Sequence, residues 1–171
     1  MADTHTDITH DAEAPPKRGK KHEALSVFLG DWEAEGTSYG GPKQDAKDPK
    51  ANGFAWASTL TARWHSGEFF LIQVERAQSG GQFDTTSVMG VDAQTDEYFA
   101  QSFENHGFAR RYDVRVDGET WTLLGEHERA MIVFSEDGRT QTITWEWKPR
   151  DKWLPLCDRV AKRVAHGQAR A

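Results

Sequence analysis

The stretch from 108 to 134, FARRYDVRVDGETWTLLGEHERAMIVF, decides the fold class. Phe108, Arg110, Tyr112, Val114 and Val116 share one parity, while Ala109, Arg111, Asp113 and Arg115 share the other. A period of two with apolar residues on one side is the signature of a strand that buries one face. Asp117-Gly118 follows at once, and this dipeptide accepts the positive φ of a primed hairpin turn. Trp121, Leu123, Gly125 and His127 then line up on a second strand, and Ala130 to Phe134 makes a third. Strands joined by so short a turn pair antiparallel, so the segment reads as a meander.

The same pattern extends in both directions. Upstream, Asp31 to Ser38 sets Trp32, Ala34 and Gly36 on one face, and Phe54 to His65 does the same for Phe54, Trp56, Leu60, Ala62 and Trp64. Phe69 to Arg76 aligns Phe70, Ile72 and Val74; Thr85 to Val91 and Tyr98 to His106 complete that half. Downstream, Gln141 to Lys148 aligns Ile143, Trp145 and Trp147. Trp153 to Val164 places Leu154, Leu156, Asp158 and Val160 on one face if it stays extended. Short turn signals separate these runs, among them Ser66-Gly67-Glu68, Ser79-Gly80-Gly81 and Glu136-Asp137-Gly138; the longest connection is YGGPKQDAKDPKANG at 39–53. Before the first strand, Leu25, Phe28 and Leu29 fall at helical spacing, with Gly30 as a stop.

The expected fold is therefore all-β, with about ten strands, a short N-terminal helix and hairpin links, which fits a closed up-and-down antiparallel barrel or a sandwich. The barrel is favoured, because sequential strands close most simply on their neighbours and closure removes the edges. The barrel domain is expected over 22–164. The polar opening 1–21, with its Pro15-Pro16 pair, reads as a disordered tail, and 165–171 as a C-terminal tail.

Composition narrows the function classes. The chain has 171 residues and a net charge of −6. Residues 23–152 alone hold 22 acidic and 13 basic side chains, which disfavours nucleic acid as a partner, since that affinity rests on clustered Lys and Arg. No apolar run approaches the roughly 20 residues of a membrane span, and the opening lacks the apolar segment of a signal peptide, so no membrane partner is expected and the cytoplasm is the expected compartment. The single Cys excludes an internal disulfide framework and fits a reducing compartment.

Leu29-Gly30-Asp31-Trp32-Glu33-Ala34-Glu35-Gly36 has a Gly-x-Trp opening the first strand after a short helix, with Gly four residues beyond the Trp. This motif resembles the calycin group, which includes lipocalins, fatty-acid-binding proteins and nitrobindins. GVDAQTDEYFAQSFENHG, YDVRVDGETWTLLGE and DGRTQTITWEW further resemble an uncharacterised bacterial domain-of-unknown-function family with a lipocalin-like barrel. The resemblance spans roughly 22–164. It implies a cavity protein, with the Trp plugging one barrel end under the helix. Nitrobindins hold haem through a His on a late strand, and the final strand here has none; Cys157 lies there instead and is read as a small core residue. No cofactor is expected.

Six of the seven Trp fall on inferred inner faces, so Trp56, Trp64, Trp121 and Trp145 are expected either to line a ligand cavity or simply to fill the core. Arg110 and Tyr112 share the inner parity. An inward Arg must be paired or receive an anion, so Arg110 meets a ligand carboxylate or is held by Glu104, Glu126 or Asp158. Tyr112 and Asp158 are the expected polar company of Arg110, and His127 is expected inward near a barrel mouth. His65, His106 and His127 carry no metal-ligand spacing, and no metal is expected. No nucleophile elbow or phosphate-cradling glycine loop is present. The leading expectation is a non-enzymatic barrel holding a small hydrophobic or aromatic molecule, which an unpaired Arg110 would allow to be anionic. The alternatives are an isomerase or cyclase using His127, Arg110 and Glu126 or Asp158, and a homo-oligomeric assembly module with a filled barrel.

Overall fold

The computed structural model describes residues 15–79 and 83–165. Most of the expected tails, and the turn at Gly80-Gly81, lie outside the described residues. Helix α1 spans Lys20–Ala24 and runs into a 3-10 turn at Leu25–Phe28. Ten strands follow: β1 (Gly30–Ser38), β2 (Phe54–Trp64), β3 (Phe70–Ser79), β4 (Asp84–Val91), β5 (Tyr98–Glu104), β6 (Ala109–Asp117), β7 (Thr120–Leu124), β8 (Glu128–Phe134), β9 (Thr140–Trp147) and β10 (Leu154–Arg163). Each pairs antiparallel with its sequence neighbours, and β1 pairs with β10 to close the barrel. The up-and-down barrel expected from the hairpin spacing is the architecture observed.

One end is solid. Leu25 and Phe28 from the turn are fully buried, and Phe28 meets Trp121 and Phe134 edge-on, each at 5.0 Å between ring centres. Trp32 packs beside them, and its indole Nε1 donates to the Phe28 carbonyl at 2.9 Å. From the last strand, Arg163 lays its guanidinium 4.5 Å from the Trp32 ring centre and donates through Nη2 to the carbonyls of Val27 (2.9 Å) and Gly138 (3.1 Å). First strand, last strand and entering turn are thus tied at one point, with the helix capping the end below. Gly30 adopts φ +120, a conformation L side chains rarely take, which lets the chain leave the turn and enter β1.

Two strands present the opposite face to that expected. In β3, Leu71 is fully buried while Phe70 is 39% exposed, so Leu71, Gln73 and Glu75 point inward and Phe70, Ile72 and Val74 outward. The pairing of Leu71 with Trp64 and of Glu75 with Leu60 sets this register, and outside the barrel Phe70 lies against Phe99. In β10, the register shifts between Pro155 and Cys157. Proline cannot donate to the ladder, and a bulge at that place moves every later side chain to the other face. Arg159, opposite Gly36, and Ala161, opposite Ala34, therefore face inward, and Asp158 and Val160 face outward.

Candidate functional site

The open end is not filled. Above the plug lies a cavity of about 290 Å³, at the lower edge of the roughly 300–1,000 Å³ usual for small-molecule pockets. Its lining runs from Phe28 at the floor to Ser38, Trp56, Glu104, Glu128 and Leu156, which stand at strand ends opposite the helix. Leu60, Met89, Leu123, Ile132 and Ile143 make the lower wall apolar, and Trp56, Phe83 and Trp145 bring aromatic rings into the upper part. Trp56 meets Phe83 edge-on at 5.9 Å, and Trp145 meets Tyr112 at 5.7 Å.

The polar lining follows from register. Gln73, Ser87, Ser102 and Arg110 are successive cross-strand partners on β3 to β6, and Glu75, Thr85 and Glu104 form the next rung on β3 to β5. A band of hydroxyls, amide and charge thus crosses one side of the upper barrel, facing the apolar and aromatic wall. Arg110 Nε donates to Glu104 Oε1 at 2.8 Å and its Nη2 lies 3.3 Å from Glu128 Oε1, while Tyr112 donates its hydroxyl to Glu128 Oε2 at 3.2 Å. Burial raises the Glu128 carboxyl above its ordinary range, against the pull of Arg110. Burial, reinforced by Glu128, pushes the Tyr112 phenol up as well.

A second ion pair is more fully buried. Glu75 Oε1 accepts from Arg159 Nη1 and from Ser58 Oγ, the latter at 2.7 Å. The Arg159 and Glu75 side chains are 9% and 8% exposed. Burial opposes the charge on Arg159, and the Glu75 carboxylate more than restores it, leaving the guanidinium pKa raised. Beside it, burial pushes the Cys157 thiol up to about 11. Three N–H groups from residues of the cavity wall are buried with no hydrogen-bond partner among the described residues: Trp56 Nε1, Gln141 Nε2 and Arg159 Nε.

The expected site residues divide accordingly. Trp56, Tyr112 and Trp145 line the cavity. Arg110 is inward and partly buried beside Tyr112, but its guanidinium is taken by Glu104 and Glu128, which realises the internal-pair alternative with Glu128 in place of Glu126. Trp121 belongs to the plug and Trp64 to the same closed end, where Arg18 covers its ring at 5.4 Å. His127 sits on the rim between β7 and β8, its side chain 62% exposed and 3.5 Å from Glu126, so it does not reach the interior. Asp158 is on the outer wall because of the bulge, held by Lys50 at 2.6 Å and Tyr39 at 3.2 Å. The residues that sequence reasoning missed are Glu75, Arg159, Ser58, Gln141 and Glu128. Pro155 within a strand was the available signal for the bulge that turns Arg159 inward.

The loop at 39–53 is fastened to the β9–β10 wall. Gln44 bridges the Trp147 indole (2.7 Å) and the Pro155 carbonyl (2.6 Å), and Tyr39 and Gly40 donate to the Leu156 carbonyl. No residue of 40–52 lines the cavity. A haem held as in nitrobindins does not fit: among the described residues no histidine lines the cavity, and a thiol raised as Cys157 is does not offer a thiolate at neutral pH. Among the described residues, no three His, Cys, Asp or Glu side chains gather as a metal site, and no helix is long and apolar enough to cross a membrane.

No family model matches the chain, and no curated protein matches it. Among solved structures, the crystal structure of Rv2717c from M. tuberculosis is similar, with a TM-score of 0.59 at 15% identity, covering 87% of this chain and 100% of that one. At that identity the likeness is one of fold, and it is compatible with a calycin-like barrel.

Proposed function

We propose that the chain binds one small, predominantly hydrophobic molecule inside the barrel and leaves it chemically unchanged. The observation that carries this reading is the unfilled upper interior, about 290 Å³ with an apolar floor and two tryptophans in its wall. A core built only for stability is packed to near-crystalline density, and a void of this size forfeits dispersion contacts throughout its lining. The volume suits one or two fused rings or a short branched chain. The uncharged two-ring fluorophore 1-naphthylamine tests it: emission at the blue edge of its band rises to saturation at one equivalent. Ala100, buried in the cavity wall, supplies the control. Ala100→Phe occupies the void and abolishes the rise while the protein stays folded. No rise with the unaltered protein, or an equal rise with Ala100→Phe, overturns the reading.

One observation favours a second reading, a barrel isomerase or cyclase acting on a hydrophobic intermediate. Glu128, its carboxyl raised by burial, faces the cavity beside Tyr112, where a carboxyl can exchange a proton with a bound molecule. The partners expected for that role, His127, Glu126 and Asp158, stand outside the interior. In this reading Glu128→Gln abolishes turnover and leaves ligand affinity within a few-fold; in the binding reading there is no turnover to lose.

A further inference from the structure

The geometry points to an uncharged ligand that carries a hydrogen-bond acceptor, a ketone, amide or ester carbonyl on a flat apolar body. This inference deepens the binding reading above and rests on it. The charge inventory of the cavity is its first support. Three carboxylates line the space, those of Glu75, Glu104 and Glu128. Two guanidiniums serve them: Arg159 holds Glu75, and Arg110 bridges Glu104 and Glu128. Neither is left over for a ligand carboxylate, and an entering anion meets an excess of negative charge where water screens poorly. The anionic ligand suggested by an inward Arg110 is therefore the wrong class.

The second support is the chemistry of the unpartnered atoms. Trp56 Nε1, Gln141 Nε2 and Arg159 Nε are all donors, in three residues of the cavity wall. An ammonium would gain from the excess carboxylate but brings only donors, and it leaves these three groups as they are. A hydrocarbon brings nothing to them. A carbonyl oxygen brings two lone pairs and no charge, so of the anion, the ammonium, the hydrocarbon and the neutral acceptor only the last answers both observations. Trp56 and Arg159 are, moreover, the two cross-strand partners of Gly36, on β2 and β10, so no side chain stands between them in that rung.

Four probes with one ring system separate the classes by calorimetric titration: 2-acetylnaphthalene, 2-ethylnaphthalene, 2-naphthoate and 2-naphthylmethylammonium. The ketone is expected to bind tightest, by about tenfold or more over each of the others. Trp56→Phe keeps the aromatic wall and removes one donor, so the ketone's advantage over the ethyl analogue shrinks several-fold. Glu128→Gln removes the excess charge and narrows the gap between ketone and naphthoate. Naphthoate or the ammonium equalling the ketone overturns the inference, as does equal binding of all four, and in both cases the binding reading stands. If no probe binds at millimolar concentration, the binding reading falls with it.

Discussion

Replacing Arg159 with Met tests the buried pair in the cavity wall. The substitution keeps most of the side-chain volume but strands Glu75, which is 8% exposed and retains only the Ser58 hydroxyl among its partners described above. Breaking a buried ion pair from one side costs about 3–5 kcal/mol. Urea unfolding of Arg159→Met at pH 7 is therefore expected to show a loss of about 3–5 kcal/mol. In a chain of this length such a loss lowers Tm by roughly 10 °C. Adding Glu75→Leu removes the stranded charge, and the double variant recovers most of the loss. A loss under about 1 kcal/mol, with the two substitutions additive, would refute the buried pair.

The other expected outcomes concern the plug, the seam and the thiol. Trp32→Ala removes the ring that ties turn, first strand and last strand, and is expected to cost about 3–5 kcal/mol by thermal or urea unfolding; a loss under about 1 kcal/mol contradicts its place in the core. Gly36→Ala would set a methyl group 2.0 Å from the Asp158 carbonyl, so β1 and β10 must separate; the variant is expected to unfold at markedly lower urea, and an unchanged midpoint contradicts the close approach of the strands. Cys157 has a folded pKa raised from 9.0 to about 11, so the unfolded chain releases its proton first. Stability then falls as pH rises through that window, by up to about 1.4 kcal/mol per unit, and Cys157→Ala flattens that part of the slope. Identical slopes in the two proteins would place the thiol in water.

Legibility in the sequence followed the contrast between the two faces of each strand. In YDVRV and TITWEW one parity is apolar and the other charged or polar, and the inward sets are those observed: Tyr112 and Val114, and Ile143 and Trp145. In FLIQVER both parities carry aliphatics, and the more apolar one, with Phe70, Ile72 and Val74, faces out. Hydrophobicity misleads there because the inner wall borders a cavity with a polar band, so Gln73 and Glu75 are the inward residues. In β10 the misreading came from assuming an unbroken strand across Pro155, and it cost both the inward Arg159 and the true position of Asp158. The partners of Arg110 depend on how the rim turn before β8 offsets Glu126 from Glu128, which periodicity does not encode.

A crystal structure of the protein grown with 2-acetylnaphthalene shows whether the upper barrel holds a molecule. The ring system is expected between Trp56 and Trp145, its oxygen towards the Trp56, Gln141 and Arg159 donors, with the plug of Leu25, Phe28 and Trp32 unmoved. A void closed by collapsed side chains, or the ketone bound only on the outer wall, would contradict this expectation.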